Sequence, residues 1–292
     1  MKKRCAFLTM EDRAGFFIND HLLFEPMQRA GWAVQEIPWD QDGVEWARFD
    51  AVVIRSTWDY QNKPEAFLNT LQTIENETQL FNPTAICKWN LTKTYLRDLQ
   101  SCGVKIVPTN WLAVLTENEL ETAREWFQSS RLIAKPQIGA NADDTYVIDL
   151  DNPGSFERPL RTFCDKPLLL QPFVDSIQSE GEYSLFFFGG EFSHAIIKTP
   201  ATGDFRVQEE HGGQIKSIFP ADNLLQLGEK ALRTIGQTLL YARVDIVVLS
   251  DESPAVIELE LIEPSLYFDQ CDNAAEMFAN ELVRMYCENI DR

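Results

Sequence analysis

The amino-acid sequence predicts an α/β chain, α+β overall, that opens on a small parallel sheet and closes on antiparallel strands. Three observations carry that reading. Short apolar runs alternate with helically spaced segments through the first third, which is the pattern of βαβ units. Gly189-Gly190 separates two apolar runs, Tyr183 to Phe188 and Phe192 to Lys198, as a two-residue hairpin turn does. Two later strands, Val244 to Leu249 and Ala255 to Ile262, are joined by a turn at Asp251 to Pro254.

In chain order, Cys5 to Met10 is a short apolar strand. Phe17 to Ala30 has helical spacing, with Ile18, Leu22, Leu23 and Met27 on one face and Gly31 closing it. Trp32 to Trp39 reads as a second strand. Asp50 to Ile54 is a third, almost wholly apolar, as a strand covered on both faces should be. Pro64 sits in the first turn of a helix carrying Phe67, Leu68, Leu71 and Ile74. Leu80-Phe81 begins a fourth strand, and Asn82-Pro83 turns the chain.

The spacing then predicts one helix from Thr92 to Cys102, closed by Gly103. Leu132 to Pro136 is a strand with one lysine among apolar neighbours. A loop through Gly139, Ala140 and Asn141 leads to a returning strand, Asp144 to Asp149. Leu168 to Val174 is an apolar strand interrupted by Pro172. A polar loop runs from Thr199 to Gly213. Asp222 caps a helix containing Leu224, Leu227, Ala231, Ile235 and Leu239, and a last helix spans about Asn273 to Asn289.

The chain has 292 residues, 45% apolar and 24% charged, enough for a buried core without recourse to disorder. Asp and Glu number 45 against 26 Lys and Arg, a formal charge of -19. Such a surface repels nucleic-acid phosphates and anionic lipid, so neither is an expected partner. An anionic substrate needs a locally basic pocket, usually helped by a metal ion, which singles out each lysine or arginine in an apolar or glycine-rich stretch. The basic start, Met1 to Arg4, is followed by an apolar run too short for a secretion signal. No run approaches the roughly 20 apolar residues of a membrane helix. The cytoplasm is the expected compartment. Six scattered cysteines without a CxxC pair read as reduced thiols. His21, His194 and His211 lack zinc-type spacing.

The most informative stretch is Val256 to Pro264. Alternate residues of a strand share a face, so Glu258 and Glu260 project together. Side-by-side carboxylates repel unless a cation sits between them, and oxygen ligands of this kind suit Mg²⁺. Asp245 lies inside the preceding apolar strand, where an unpaired carboxylate is costly. Alternation alone leaves a solvated strand face as the alternative; Asp245 weighs against it.

Lys135, on an apolar strand before a small-residue loop, needs an anionic partner that a phosphate could supply. No GxxxxGK[ST] loop occurs. Lys93, taken alone, reads as a surface lysine. Arg206, in a polar loop with glycines at both ends, offers a two-point fork for phosphate or carboxylate, and Lys198 ends the strand before it. In Gln171-Pro172-Phe173-Val174 the proline weakens strand pairing and frees backbone groups beside apolar side chains, as a purine ring requires. Arg55, Trp58 and Asp59 follow the third strand, where open α/β sheets bind ligands, although Trp58 reads equally as a core aromatic.

This order resembles the ATP-grasp superfamily: a lysine, a lysine before a small-residue loop, an apolar hinge, the Asp204-Phe-Arg206…His211-Gly-Gly213 loop, Val244-Asp245, then Glu258-Leu-Glu260. The likeness is closest to the glutathione-synthetase and ribosomal-protein-modifying branch, and Arg55 to Tyr60 resembles a stretch of a cycloserine-forming ligase.

The resemblance implies an ATP-grasp fold: a preceding α/β domain over residues 1–86 and an ATP-grasp module over 87–292, with a lid at 109–170 and a C-terminal subdomain at 171–292. It implies ATP with two Mg²⁺ ions, Mn²⁺ being a substitute. Lys93 and Lys135 would contact the nucleotide phosphates. Backbone from Gln171 to Val174 would hold adenine, and Glu182, with Asp175 as second candidate, the ribose. Arg206 and Lys198 would stabilise the transferring phosphoryl group or the substrate carboxylate, and Asp245, Glu258 and Glu260 would bind metal. Arg55, Trp58, Asp59 and Ser265 would face the substrate. The reaction implied is ligation of a small carboxylate, an amino acid or small peptide, to an amine through an acyl phosphate. A nucleotide-binding sensor and a small-molecule kinase stay open as alternatives, as does a homo-oligomer.

Overall fold

A computed structural model describes residues 2–140, 142–209 and 212–290. The first sheet is built from β1 (Lys3–Thr9), β2 (Trp32–Pro38), β3 (Ala51–Ser56) and β4 (Gln79–Phe81), all parallel, in the order β2-β1-β3-β4. All six residues of β3 are buried, as its apolar run requires. Helix α1 (Phe24–Arg29) is much shorter than the predicted Phe17–Ala30. Pro26 explains this: without an N–H it is tolerated only in a first turn, so the helix cannot begin seven residues earlier. Helix α2 (Pro64–Glu77) begins on Pro64 as expected.

The predicted helix from Thr92 to Cys102 is α4 (Tyr95–Ser101), starting three residues later; α3 (Thr84–Asn90), absent from the sequence reading, precedes it. Tertiary bonds at the junction separate them. The Lys93 N–H donates to the Gln137 carbonyl (2.8 Å), and the Asn90 side chain bonds the backbone of Leu259 and Leu261.

The second sheet is antiparallel, in the order β5-β8-β6-β7, from β5 (Asn110–Leu112), β6 (Arg131–Pro136), β7 (Tyr146–Asp149) and β8 (Leu168–Pro172). Helices α5 (Glu117–Phe127) and α6 (Glu157–Thr162) accompany it; both, with β5, are absent from the sequence reading. Leu120, Ala123, Leu132, Ile148 and Phe163 form its separate core. A four-residue turn, α7 (Ser176–Ser179), leads to the third sheet.

That sheet is antiparallel, in the order β11-β10-β9-β12-β13, from β9 (Glu182–Phe188), β10 (Glu191–Thr199), β11 (Gln214–Ile218), β12 (Tyr241–Val248) and β13 (Pro254–Glu260). Gly189 and Gly190 both take positive φ, as a tight hairpin demands. Helix α8 (Asp222–Arg233) stops short of Ile235 and Leu239 because Gly236, at φ 73°, breaks it. Leu185, Phe187, Val244, Ile246 and Leu259 pack with residues of α4 and α8. Helix α9 (Ala274–Ile290) belongs to the core between the first and third sheets, where Phe278 and Leu282 are fully buried. No helix among the described residues is long and apolar enough to cross a membrane.

Candidate active site

Strand register assembles a charged face on the third sheet. On β12 and β13, Asp245 lies opposite Glu258 and Arg243 opposite Glu260. On the other side Asp245 faces Ser184 of β9, and on β10 Lys198 faces Glu182. Period-two alternation puts all of these on one face, with the apolar core on the other. Asp245 is buried, so this is not a solvated strand face.

Asp245, Glu258 and Glu260 each offer an oxygen lying within 4.8 Å of the others. Three convergent oxygens, one fully buried, fit a hard divalent ion such as Mg²⁺. Within the protein they are balanced by cations. Arg243 forks onto Asp245 (3.0 and 2.9 Å) and also bonds Glu260. Lys198 bonds Glu182 (2.6 Å) and reaches Asp245 at 3.5 Å. Lys93 pairs with Glu258. Burial alone would raise the Asp245 carboxyl, but Arg243 and Lys198 outweigh it and hold it at about 2. Burial pushes Glu260 up to about 7 against the pull of Arg243. Burial also works against the Lys198 ammonium, which Asp245 and Glu182 nevertheless keep charged.

Across the cleft, β6 carries Lys135, buried and without an ion pair among the described residues. Burial lowers its pKa, partly opposed by Glu258. Gly139 and Ala140 line the cleft beyond it; Asn141 lies outside the described residues.

The hinge corrects one expectation. Pro172 does not end strand pairing: it sits opposite Leu132, and the Phe173 N–H still donates to the Arg131 carbonyl (2.8 Å). The Val174 N–H is the first amide of this stretch with no acceptor among the described residues. Gln171, Pro172, Phe173, Val174 and Glu182 all line the cleft. Asp175 does not; it pairs with Arg131 (3.0 Å), whose guanidinium lies 3.7 Å from the Phe173 ring centroid.

Arg206 lines the cleft with its fork closed on Asp204 (2.8 Å). That hydrogen-bonded pair holds the Asp204 carboxyl well below the usual range. Gly213 supports the loop, because a Cβ there would meet the Val207 carbonyl at 2.1 Å. Glu210 and His211, in the same loop, lie outside the described residues.

At the far end, the segment after β13 is tied down through four successive carbonyls. Trp58 Nε1 donates to Glu263 O (2.8 Å), Arg55 Nη2 to Pro264 O (3.3 Å), Arg243 Nη1 to Ser265 O (3.2 Å) and His194 Nε2 to Leu266 O (3.1 Å). Trp58 and Ser265 line the cleft. Arg55 and Asp59 do not: Arg55 is buried against Asp20, and Asp59 accepts a bond from Trp39 Nε1 (2.7 Å).

Sequence reasoning passed over Arg243, Asp204, His194 and Glu263. For Arg243 a signal existed, since two residues before Asp245 on one strand means the same face. Glu263, lining the cleft and pushed up to about 8 by burial and by Glu260, becomes visible only when Tyr60 arrives beside it from the segment after β3.

A sheet of convergent carboxylates facing a lysine-bearing antiparallel sheet is the arrangement of ATP-grasp proteins. The comparisons agree. A family model described as the N-terminal domain of D-cycloserine synthetase DcsG matches residues 5–82. The cycloserine biosynthesis protein DcsG of Streptomyces lavendulae is 30% identical over 277 residues, 89% of this chain and 91% of the relative. The crystal structure of D-cycloserine synthetase DcsG superposes with a TM-score of 0.83 at 28% identity, covering 97% of this chain and 99% of the other. Two more distant structures share the fold. D-alanine–D-alanine ligase of Bacillus anthracis, complexed with ATP, has a TM-score of 0.72 at 13% identity over 99% of this chain and 98% of that one. The ATP-grasp ligase PsnB, complexed with minimal precursor, Mg and ADP, has a TM-score of 0.64 at 15% identity over 97% and 98%. The chain has the fold of the ATP-grasp ligases and belongs to the family of DcsG.

Proposed function

We propose that the protein is an ATP- and Mg²⁺-dependent carboxylate–amine ligase that acts on an amino acid or small peptide, releases ADP and phosphate, and works in the cytoplasm. The observation that carries this is the register-built triad Asp245, Glu258 and Glu260, facing Lys135 across one cleft.

A carboxylate resists attack by an amine until it is converted to an acyl phosphate. Moving the phosphoryl group is chiefly a matter of positioning and charge neutralisation. Lys135, without an ion pair among the described residues, receives nucleotide phosphate, and Lys93 does so from the opposite side. The free Val174 amide meets the adenine edge within Gln171 to Val174, and Glu182 holds the ribose. Bound divalent ions, two in this reading, neutralise the polyphosphate and would be held by Asp245, Glu258 and Glu260. Arg206 exchanges Asp204 for the transferring phosphoryl group, and Lys198 adds positive charge behind the carboxylates. Trp58 and Ser265 border the acceptor space. Arg55 acts there indirectly, through the Pro264 carbonyl. The second sheet, residues 109–170, serves as a lid that excludes water from the acyl phosphate.

The test is ADP release with ATP, Mg²⁺ and pools of D- and L-amino acids that include aminooxy amino acids, whose internal ligation would give D-cycloserine, the first product sought because of the DcsG likeness. Turnover with at least one pool, lost in Glu258→Gln, is the expected result. No ADP from any pool would overturn the reading.

A further inference from the structure

The carboxylates of the triad are already paired with cations of the protein itself. Lys93 pairs with Glu258, Arg243 with Asp245 and Glu260, and Lys198 with Glu182 and Asp245. Lys135 stands nearby as a further cation. A divalent ion entering alone would have to displace these cations from the same oxygens and would be repelled by them, which is costly in a poorly solvated place. A polyphosphate offers the cations another anionic partner.

Lys93 stands where these demands meet. Its ammonium occupies an oxygen of Glu258, one of the three convergent carboxylates. Its backbone N–H donates to the Gln137 carbonyl (2.8 Å), two residues past Lys135 on the chain that borders the cleft from the second sheet. A single residue thus touches the carboxylate triad with its side chain and the covering sheet with its backbone.

We propose that Lys93 is a placeholder for the divalent ion: it holds Glu258 closed until a nucleotide's phosphates draw the ammonium away, so the metal binds tightly only together with nucleotide. This rests on the reading of the triad as a cation site but not on the identity of the acid or amine. Free protein therefore binds metal weakly, and nucleotide raises that affinity by at least about tenfold, an ordinary size for coupled sites.

The experiment is titration with Mn²⁺, followed by electron paramagnetic resonance, of wild-type, Lys93→Met, Lys93→Gln and Lys135→Met proteins, each with and without ADP. Without ADP, both Lys93 variants bind Mn²⁺ about tenfold or more tighter than wild type, and ADP then adds less than about threefold. Lys135→Met removes the same charge from the same cleft but no ion pair, so it stays within about threefold of wild type without ADP. Equal effects of the Lys93 and Lys135 substitutions would reduce the result to bulk charge and overturn the placeholder. Unchanged Mn²⁺ affinity in both Lys93 variants would do the same. No Mn²⁺ binding by any of the proteins, even with ADP, would overturn the cation site itself and the placeholder with it.

Discussion

Arg55, the fifth residue of β3, donates to the carbonyl of Pro264, 209 positions later, at 3.3 Å. The same guanidinium is fixed by Asp20 at 2.8 Å, and both partners are almost fully buried. The first sheet therefore sets the backbone at the far end of the cleft, without itself lining it. Arg55→Met leaves Asp20 buried and unpaired and should cost about 3–5 kcal/mol. Adding Asp20→Leu should recover most of that stability in chemical denaturation. Turnover should stay low in both variants, because Pro264 has lost its donor in both. Recovery of turnover with stability would remove the positioning role.

Lys135 is a buried ammonium whose carboxylate neighbours are already engaged, a poor arrangement for stability and a good one for a phosphate. Lys135→Met should raise the melting temperature of the nucleotide-free protein. It should weaken ADP by about tenfold or more, worth ~1.4 kcal/mol. Isothermal titration and a thermal scan read the two together. A lower melting temperature with intact ADP affinity would contradict the assignment.

Glu263 titrates at about 8 because it is buried and faces Glu260, well above an ordinary glutamate. Between the ordinary value and about 8 the folded chain keeps a proton that the unfolded chain has lost. The stabilisation is complete below the ordinary value and disappears as pH rises through about 8. Glu263→Gln should therefore gain stability relative to wild type as pH rises from about 5 to 8. Parallel stability curves for the two proteins would show that Glu263 titrates normally.

Gly213 has no room for a side chain against the Val207 carbonyl. Gly213→Ala should push the loop carrying Arg206 out of place. Because that loop packs little core, the melting temperature should move by only a few degrees, while turnover falls by roughly tenfold or more, on the scale of a misplaced catalytic group. An active Gly213→Ala protein would mean that Arg206 does not need this loop geometry.

Lys198, Asp245, Glu258 and Glu260 were legible because each sits on a strand whose apolar residues mark its face, whereas Arg243 fell outside the strand as read, Val244 to Leu249. Glu258 and Glu260 share parity, and Asp245 interrupts an apolar run. The hinge was legible in place but not in detail: Pro172 looked like a break, yet the ladder continues to the Phe173 amide. Helix ends were the least legible, since α1 yields to Pro26 and the segment just before α4 is tied, through the Lys93 amide, to Gln137 far along the chain.

The chain by itself determined most of its strands, though not β5 or β11, and the face on which Asp245, Glu258 and Glu260 would lie, because alternation and burial are local consequences of residue order. Tertiary structure alone decided which charges neutralise one another, that Arg55 and His194 work through carbonyls rather than on a ligand, and that Tyr60 and Glu263 meet. Those outcomes depend on strand register and on packing between elements far apart in sequence, and neither leaves a periodic trace.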